Sequence, residues 1–251
     1  MFPYLRLGPF LLQTPALALL IGFWLCSWLA EKEAVRLRLN PKHISEIIFN
    51  GFIAGVVAAR LAYALKYFNV YAASPLGLFA LSLNTLDATA GIPVGIVASI
   101  IFAQRRQLPL RPTLDALAPG LAIFMVAFGI SHIFSGDAFG AKVNLPWSIY
   151  LWSEYRHPSQ IYETLAALMI FGVAKFVHPG QPGSGINFLT VLALSAGASI
   201  FLEAFRGDSL IVAGGFRTVQ VVGLIILVVA LWMIGVWSQP SPAPITEEIT
   251  Q

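Results

Sequence analysis

The sequence predicts an all-α fold, a polytopic membrane helical bundle of about seven transmembrane helices. Three observations carry this. Hydrophobic residues make up 57% of the 251 residues and charged residues 11%, where soluble domains carry about 25% charged residues. The mean hydropathy is +0.77. The apolar residues fall in runs of about 20, the length that crosses roughly 30 Å of hydrocarbon as a helix.

The spans are expected at 13–30, 47–65, 88–104, 113–135, 159–177, 186–205 and 218–237. Only Arg6 precedes the first run and further spans follow it, so it reads as a transmembrane helix and not as a signal peptide. The segment 76–86 is apolar but too short to cross, and reads as interfacial or re-entrant. No repeat of fixed period is visible. Residues 1–237 are therefore expected to form a single transmembrane domain. Residues 238–251, with Pro, Ser, Thr and Glu, read as a disordered cytoplasmic tail.

Orientation follows from Lys and Arg in the short loops. Lys32, Arg36, Arg38, Lys42, Arg105, Arg106, Arg111 and Lys175 alternate onto one side, against Arg6, Lys66, Lys142, Arg156, Arg206 and Arg217 on the other, eight to six. The two dense clusters assign the first set to the cytoplasm, with the N-terminus outside and the C-terminus inside.

The net charge of +3 includes no basic face, which argues against nucleic acid as a partner. The single cysteine, Cys26, excludes an intramolecular disulfide and reads as a buried small residue. Of the four histidines, His43 and His178 fall on the cytoplasmic side, leaving two outside without ligand spacing. Neither a metal nor a cofactor is expected.

With this topology the remaining ionisable residues collect toward the outer face. Arg60 lies in the second span and Asp87 before the third. His132 and Asp137 end the fourth. Arg156, His157 and Glu163 open the fifth, and Glu203 and Arg206 close the sixth. Ionisable groups at such depth usually face a bundle interior or an aqueous cavity, so Arg60, His132, Asp137, His157, Glu163 and Arg206 are expected to share one, with Glu163 paired to a cation. Lys66, Lys142 and Arg217 read instead as side chains reaching the headgroups, which Arg60 could reach equally well.

The densest stretch is Arg156-His157-Pro158-Ser159-Gln160-Ile161-Tyr162-Glu163. As a helix start it places Pro158 at the first helical position, His157 before it as a cap, and Gln160 reaching back to an orphan backbone donor. That leaves Arg156, His157, Tyr162 and Glu163 together at a membrane surface without a structural account.

This stretch resembles the H-P-S-Q-x-Y-E signature of the prolipoprotein diacylglyceryl transferase family. Phe2-Pro3, Leu20-Ile21-Gly22-Phe23, Ala59-Arg60-Leu61-Ala62-Tyr63, Phe102-Ala103-Gln104-Arg105-Arg106 and Glu203-Ala204-Phe205-Arg206 resemble further family segments in the same order. The resemblance implies transfer of a diacylglyceryl group from phosphatidylglycerol to the cysteine thiol of a prolipoprotein. It also implies a bacterial plasma (inner) membrane location, with membrane lipid and a prolipoprotein signal peptide as partners. The sequence departs from the family in two places. Thr89-Ala90-Gly91 stands where the family has His-Gly-Gly. In the segment from Gly129 to Asp137 the family's lipid-binding Arg falls on Gly129, and its two Asn fall on His132 and Ser135.

Under the resemblance His132 or His157 would serve as the base. Arg206, with Arg156 or Arg60, would hold the phosphate, and Asp137, Gln160, Glu163 and Glu203 would line the substrate site. Three functions stay open on the residues. One is an active, divergent transferase. A second is a non-catalytic paralogue that binds lipid or lipidated peptide in the same cavity, which the missing His and Arg favour. The third is a small-solute transporter, against which the absence of a repeat counts.

Overall fold

The computed structural model describes residues 3–8, 10–79, 83–211 and 215–239. Its long helices are α1 (Thr14–Arg36), α2 (Pro41–Lys66), α4 (Ala88–Arg105), α5 (Leu110–Ser135), α6 (Ser159–Gly172), α7 (Ile186–Leu202) and α8 (Thr218–Trp237). The short α3 (Phe68–Ala73) and two 3₁₀ turns, Pro75–Phe79 and Leu83–Thr85, occupy the connection before α4. Seven stretches are long and apolar enough to cross a bilayer, α6 counting with the π-helical turn Val173–Val177 that continues it and α7 with its 3₁₀ extension to Phe205. The chain is a multi-pass membrane protein. Large apolar side chains point outward along it, as Leu61, Ile92, Ile225 and Trp232 do; in water they would form an aggregation surface, and in lipid they are the solvated one.

Helices α1, α2 and α5 run beyond the predicted spans. The extra turns are polar and escape a hydropathy reading. In α1, Glu33 and Arg36 pair at i,i+3. Helix α2 opens on Asn40, whose side chain accepts from the Lys42 amide at 3.0 Å, with Pro41 at the first position. The expected tail at 238–251 falls outside the described residues from 240 onward.

Small residues set the helix pairs. Gly51, Gly55 and Ala59 recur every four residues on α2 and face Gly91, Gly95 and Ser99 on α4. A Cβ at Gly91 would lie 2.7 Å from the Gly55 carbonyl oxygen, and one at Gly95 would lie 2.9 Å from that of Gly51. This is the close backbone approach that drives association where lipid removes the hydrophobic force. Helices α1 and α5 use the same device. A Cβ at Gly120 would come within 2.6 Å of the Cys26 carbonyl oxygen, and Cys26 is buried in that contact.

One end of the bundle is tied by acidic groups. Glu46 pairs with Arg106 at 2.8 Å. Asp115 of α5 accepts from the amides of Gly185 and Phe188 at 2.9 and 3.1 Å, capping the start of α7. At the opposite end the chain folds into structure that the sequence reading did not anticipate: two antiparallel hairpins, β1 (Tyr4–Leu7) with β2 (Phe10–Gln13) and β3 (Ile149–Leu151) with β4 (Glu154–Arg156). The β3–β4 turn places Trp152 and Ser153 at φ +53° and +64° without glycine, a conformation strained for side-chain-bearing residues; the Trp152 indole donates to the Gly136 carbonyl at 3.3 Å. The segment after α5 is stitched to the end of α7 by Ala141 N–H to Phe205 O at 2.7 Å and Gly207 N–H to Phe139 O at 2.9 Å. Gly140 lets the same segment lie against His157 ahead of α6, since a Cβ there would lie 2.2 Å from the His157 carbonyl oxygen.

Candidate active site

All nine candidate residues lie at the hairpin end, but they divide by what they bond. Arg60 points into the connection before α4. Its Nε donates to the Leu78 carbonyl at 2.9 Å and its Nη1 to the Thr85 carbonyl at 3.2 Å; the Gly77 carbonyl and Thr85 hydroxyl complete the set. It folds the short apolar segment back against α2. Arg156 does the same for the β3–β4 hairpin, donating to the Leu151 and Gly140 carbonyls at 3.2 and 3.3 Å and to Glu154 at 3.1 Å. Lys142 also pairs with Glu154. Arg217, read from sequence as reaching for the headgroups, instead donates to the Glu203 carbonyl at the end of α7.

Helix α6 starts one residue later than expected. Pro158, at ψ +60°, is the cap and Ser159 the first helical residue. Gln160 is buried and sends its amide to the Asp137 carbonyl at 3.0 Å rather than back along its own helix. Ser159 donates to the Ala138 carbonyl. The two side chains thus clasp the turn that follows α5. That turn is opened by Gly136, whose φ of +83° ends α5 in the left-handed conformation. The His157 ring stacks edge-on against Phe205 at 5.2 Å, and its buried Nδ1 has no hydrogen-bond partner among the described residues.

The rest line two adjoining cavities. The smaller, about 60 Å³, is bordered by Ser159, Glu163, Ser199, Glu203, Arg206 and Val219, among others. The larger, about 410 Å³, is bordered by His132, Ser135 and Asp137 from one side, Asn84, Leu86 and Ala88 from another, and Tyr4 and Gln13 from the first hairpin. The expected common space is thus two spaces, with Arg60 and His157 bordering neither.

His132 and Glu163 join the two. The Nδ1 of His132 lies 2.8 Å from Oε2 of Glu163, with side chains 15% and 29% exposed. The cation expected for Glu163 is this imidazole when protonated. Gly129 brings α5 and α6 close enough for the contact, since a Cβ on it would lie 2.5 Å from Thr164 Oγ1 and 3.1 Å from Thr164 Cα. A side chain at 129 would push α6 away from α5, so the bare backbone of Gly129 lets Glu163 reach the imidazole at 132.

In the smaller cavity Arg206 is gripped by Asp208 through Nε and Nη2, both at 2.9 Å, with Glu203 at 3.8 Å. Burial works against its charge, but the Asp208 hydrogen bonds and the surrounding carboxylates outweigh this and hold its pKa above the ordinary guanidinium value. Its Nη1 has no hydrogen-bond partner among the described residues. Glu203 is buried, and its Oε1 likewise lacks one among them. No group of three or more His, Cys, Asp or Glu able to hold a metal occurs among the described residues.

The sequence reading missed the small-residue interfaces that set this geometry. Their signal is present, as glycines spaced by four on 51–59 and 91–99.

Comparison with known proteins gives the family. A model of the prolipoprotein diacylglyceryl transferase family matches residues 3–236. Similar chains include the phosphatidylglycerol–prolipoprotein diacylglyceryl transferase of Trichormus variabilis, 31% identical over 225 residues covering 83% of this chain and 78% of the relative. The Gloeobacter violaceus enzyme of that name is 29% identical, covering 95% and 94%, and the Streptococcus pneumoniae one 28% identical, covering 97% of each. A match running from the first hairpin to the last turn of α8 leaves no part of the bundle outside it, and the chain belongs to the prolipoprotein diacylglyceryl transferase family.

Proposed function

We propose that the protein transfers the diacylglyceryl group of phosphatidylglycerol to the cysteine thiol of a prolipoprotein, with His132 as base and Arg206 as phosphate holder. The observation that carries the reading is that Glu163 contacts the His132 imidazole and borders the cavity of Arg206, while Nε2 of that imidazole and Nη1 of that guanidinium have no hydrogen-bond partner among the described residues. Transfer needs both. The thiol must lose its proton to attack, and the departing phosphate must be held as an anion, which a guanidinium fork does well.

In this mechanism the thiol proton passes to Nε2 of His132. The thiolate attacks the glyceryl carbon that carries the phosphate ester, forming a C–S bond as the C–O bond breaks. The electron pair leaves on glycerol phosphate, which takes up the proton from His132 to restore the neutral imidazole. Arg206 holds the phosphate through Nη1, with Asp208 fixing the guanidinium plane. Arg60 and Arg156, committed to backbone carbonyls, build the walls. Asp137, Gln160 and Glu203 shape the substrate site, and His157 packs behind it.

The hairpin end faces the outside of the bacterial plasma membrane, with the N-terminus outside and the C-terminus in the cytoplasm. This orientation is supported by the Lys and Arg clusters at the other end. The prolipoprotein then presents its signal peptide from within the bilayer, with the thiol at the outer interface.

Complementation of a strain depleted of its own transferase tests the reading. Growth should be rescued by the wild-type chain. In purified protein Arg206→Ala should raise KM for phosphatidylglycerol about tenfold or more, as loss of a charge-assisted contact of about 1.5–3 kcal/mol requires. No rescue, together with retained binding of phosphatidylglycerol, would favour the alternative, a non-catalytic lipid-binding paralogue.

A further inference from the structure

Rings with two nitrogens need one of them fixed before the other can act as a base. In His132 the fixed one is Nδ1, 2.8 Å from Oε2 of Glu163. Nε2 has no hydrogen-bond partner among the described residues, and the side chain borders the larger cavity. The ring is also held from its side by Phe128, edge-on with centroids 4.4 Å apart. Glu163 is carried on α6, pressed against α5 through Gly129 and Thr164, so backbone contact fixes the spacing. Its carboxylate borders the cavity that holds Arg206, while Asp137 shares the larger cavity with His132.

From this geometry we infer that Glu163 is the positioning residue of the base. It accepts the Nδ1–H of His132, selects that tautomer, aims Nε2 into the larger cavity, and stabilises the imidazolium formed when Nε2 takes the thiol proton. The proton moves from sulfur to Nε2 and later to the departing phosphate. Glu163 acts through the His132 ring and exchanges no proton with either substrate. This role rests on the transfer reading above, while the tautomer itself does not. The pair depends on two features of this chain, a residue without a side chain at 129 and an imidazole at 132.

The test uses the full chain in lipid nanodiscs, with phosphatidylglycerol and a synthetic peptide bearing a single cysteine. Glu163→Ala should lower kcat about 100-fold, within the range that general-base assistance supplies, with KM for both substrates changed less than about 3-fold. Glu163→Gln, whose amide oxygen still accepts from Nδ1–H, should recover part of that loss. Glu163→Ala combined with His132→Asn should be no slower than His132→Asn alone, because the two act as one unit. ¹⁵N spectra of histidine-labelled protein, assigned by the signal lost in His132→Asn, should show His132 protonated on Nδ1 with Nε2 a bare acceptor, and Glu163→Ala should abolish that preference.

Turnover by the wild type with His132 protonated on Nε2, or with a Glu163→Ala kcat within about 3-fold of wild type, overturns the positioning role and leaves the transfer reading standing. A wild-type chain that binds phosphatidylglycerol, shows the Nδ1–H tautomer and still does not turn over overturns the transfer reading, and with it any catalytic role for the pair.

Discussion

Four arginines at the hairpin end illustrate how little a residue's depth says about its work. Arg60, Arg156 and Arg217 all turn their donors toward backbone carbonyls, those of Leu78, Leu151 and Glu203 among them. Arg206 instead spends Nε and Nη2 on the Asp208 carboxylate, and its Nη1 has no hydrogen-bond partner among the described residues. The sequence shows that cations are present near the hydrocarbon edge, and this was legible. It does not show which carbonyl each one meets, because the partner of Arg60 lies 18 residues away on an irregular segment with no periodic signal. The His132–Glu163 pair was half legible: both residues stand out as ionisable groups in apolar runs, but their 2.8 Å contact depends on the missing side chain at Gly129, whose effect is felt only once α5 and α6 are packed. Asp87 offers a residue-scale test of the same bookkeeping. Its carboxylate accepts from the Thr89 hydroxyl and, at 3.0 Å, from the Thr89 amide, and these bonds hold its pKa below the ordinary value. A depressed folded-state pKa stabilises the fold fully above the unfolded value of about 3.9, and that stabilisation is lost as pH falls through the lower folded value. Asp87→Asn keeps the cap and removes the charge. Thermal unfolding should show the variant less stable than wild type at pH 7, with the gap closing below about pH 4; a gap that widens on acidification would contradict the assignment.

At the scale of elements, the helices were readable because twenty apolar residues in lipid have one way to satisfy their backbone. The two hairpins and the 3₁₀ turns were not. The strands are four residues long at most, and the β3–β4 turn lacks the glycine that usually announces a two-residue hairpin turn. Helix pairing sits between these cases. It is written in the sequence as small residues every four positions, but only the facing of Gly51, Gly55 and Ala59 with Gly91, Gly95 and Ser99 turns spacing into structure. Because this face is backbone against backbone, a single methyl group must force it apart. Gly91→Ala puts a Cβ 2.7 Å from the Gly55 carbonyl oxygen and 2.7 Å from Ala59 Cβ. The expected cost is about 1–3 kcal/mol, typical of overpacking, read as a lower unfolding temperature in detergent. The control is Gly235→Ala on α8, where an added Cβ meets nothing within 4 Å; helix propensity should there leave stability unchanged or raise it by up to about 1 kcal/mol. Equal losses in both variants would place the effect in the helices themselves and not in their contact.

At the scale of the whole molecule, the two ends of the bundle carry different chemistry. One end holds carboxylates closed off by helix termini and arginines, as Glu46 with Arg106 and Asp115 with the start of α7. The other holds the hairpins, both cavities and the His132–Glu163 pair. Which end meets the cytoplasm decides what the cavities can receive, since a thiol presented outside reaches only the second. The excess of Lys and Arg, eight to six, is small, but they crowd into two short loops, where the positive-inside preference acts. Lys42 and Lys142 report on opposite ends and both are exposed, Lys142 at 69% even while paired with Glu154. In a Cys26→Ala background, cysteines introduced as Lys42→Cys and Lys142→Cys are read with a membrane-impermeant thiol reagent on intact spheroplasts. Lys142→Cys should label at once, and Lys42→Cys only after the membrane is opened. The reverse order would invert the bundle and put both cavities on the cytoplasmic face, where a thiol substrate at the outer surface cannot reach His132. Labelling of both without permeabilisation would break the alternation of the seven spans.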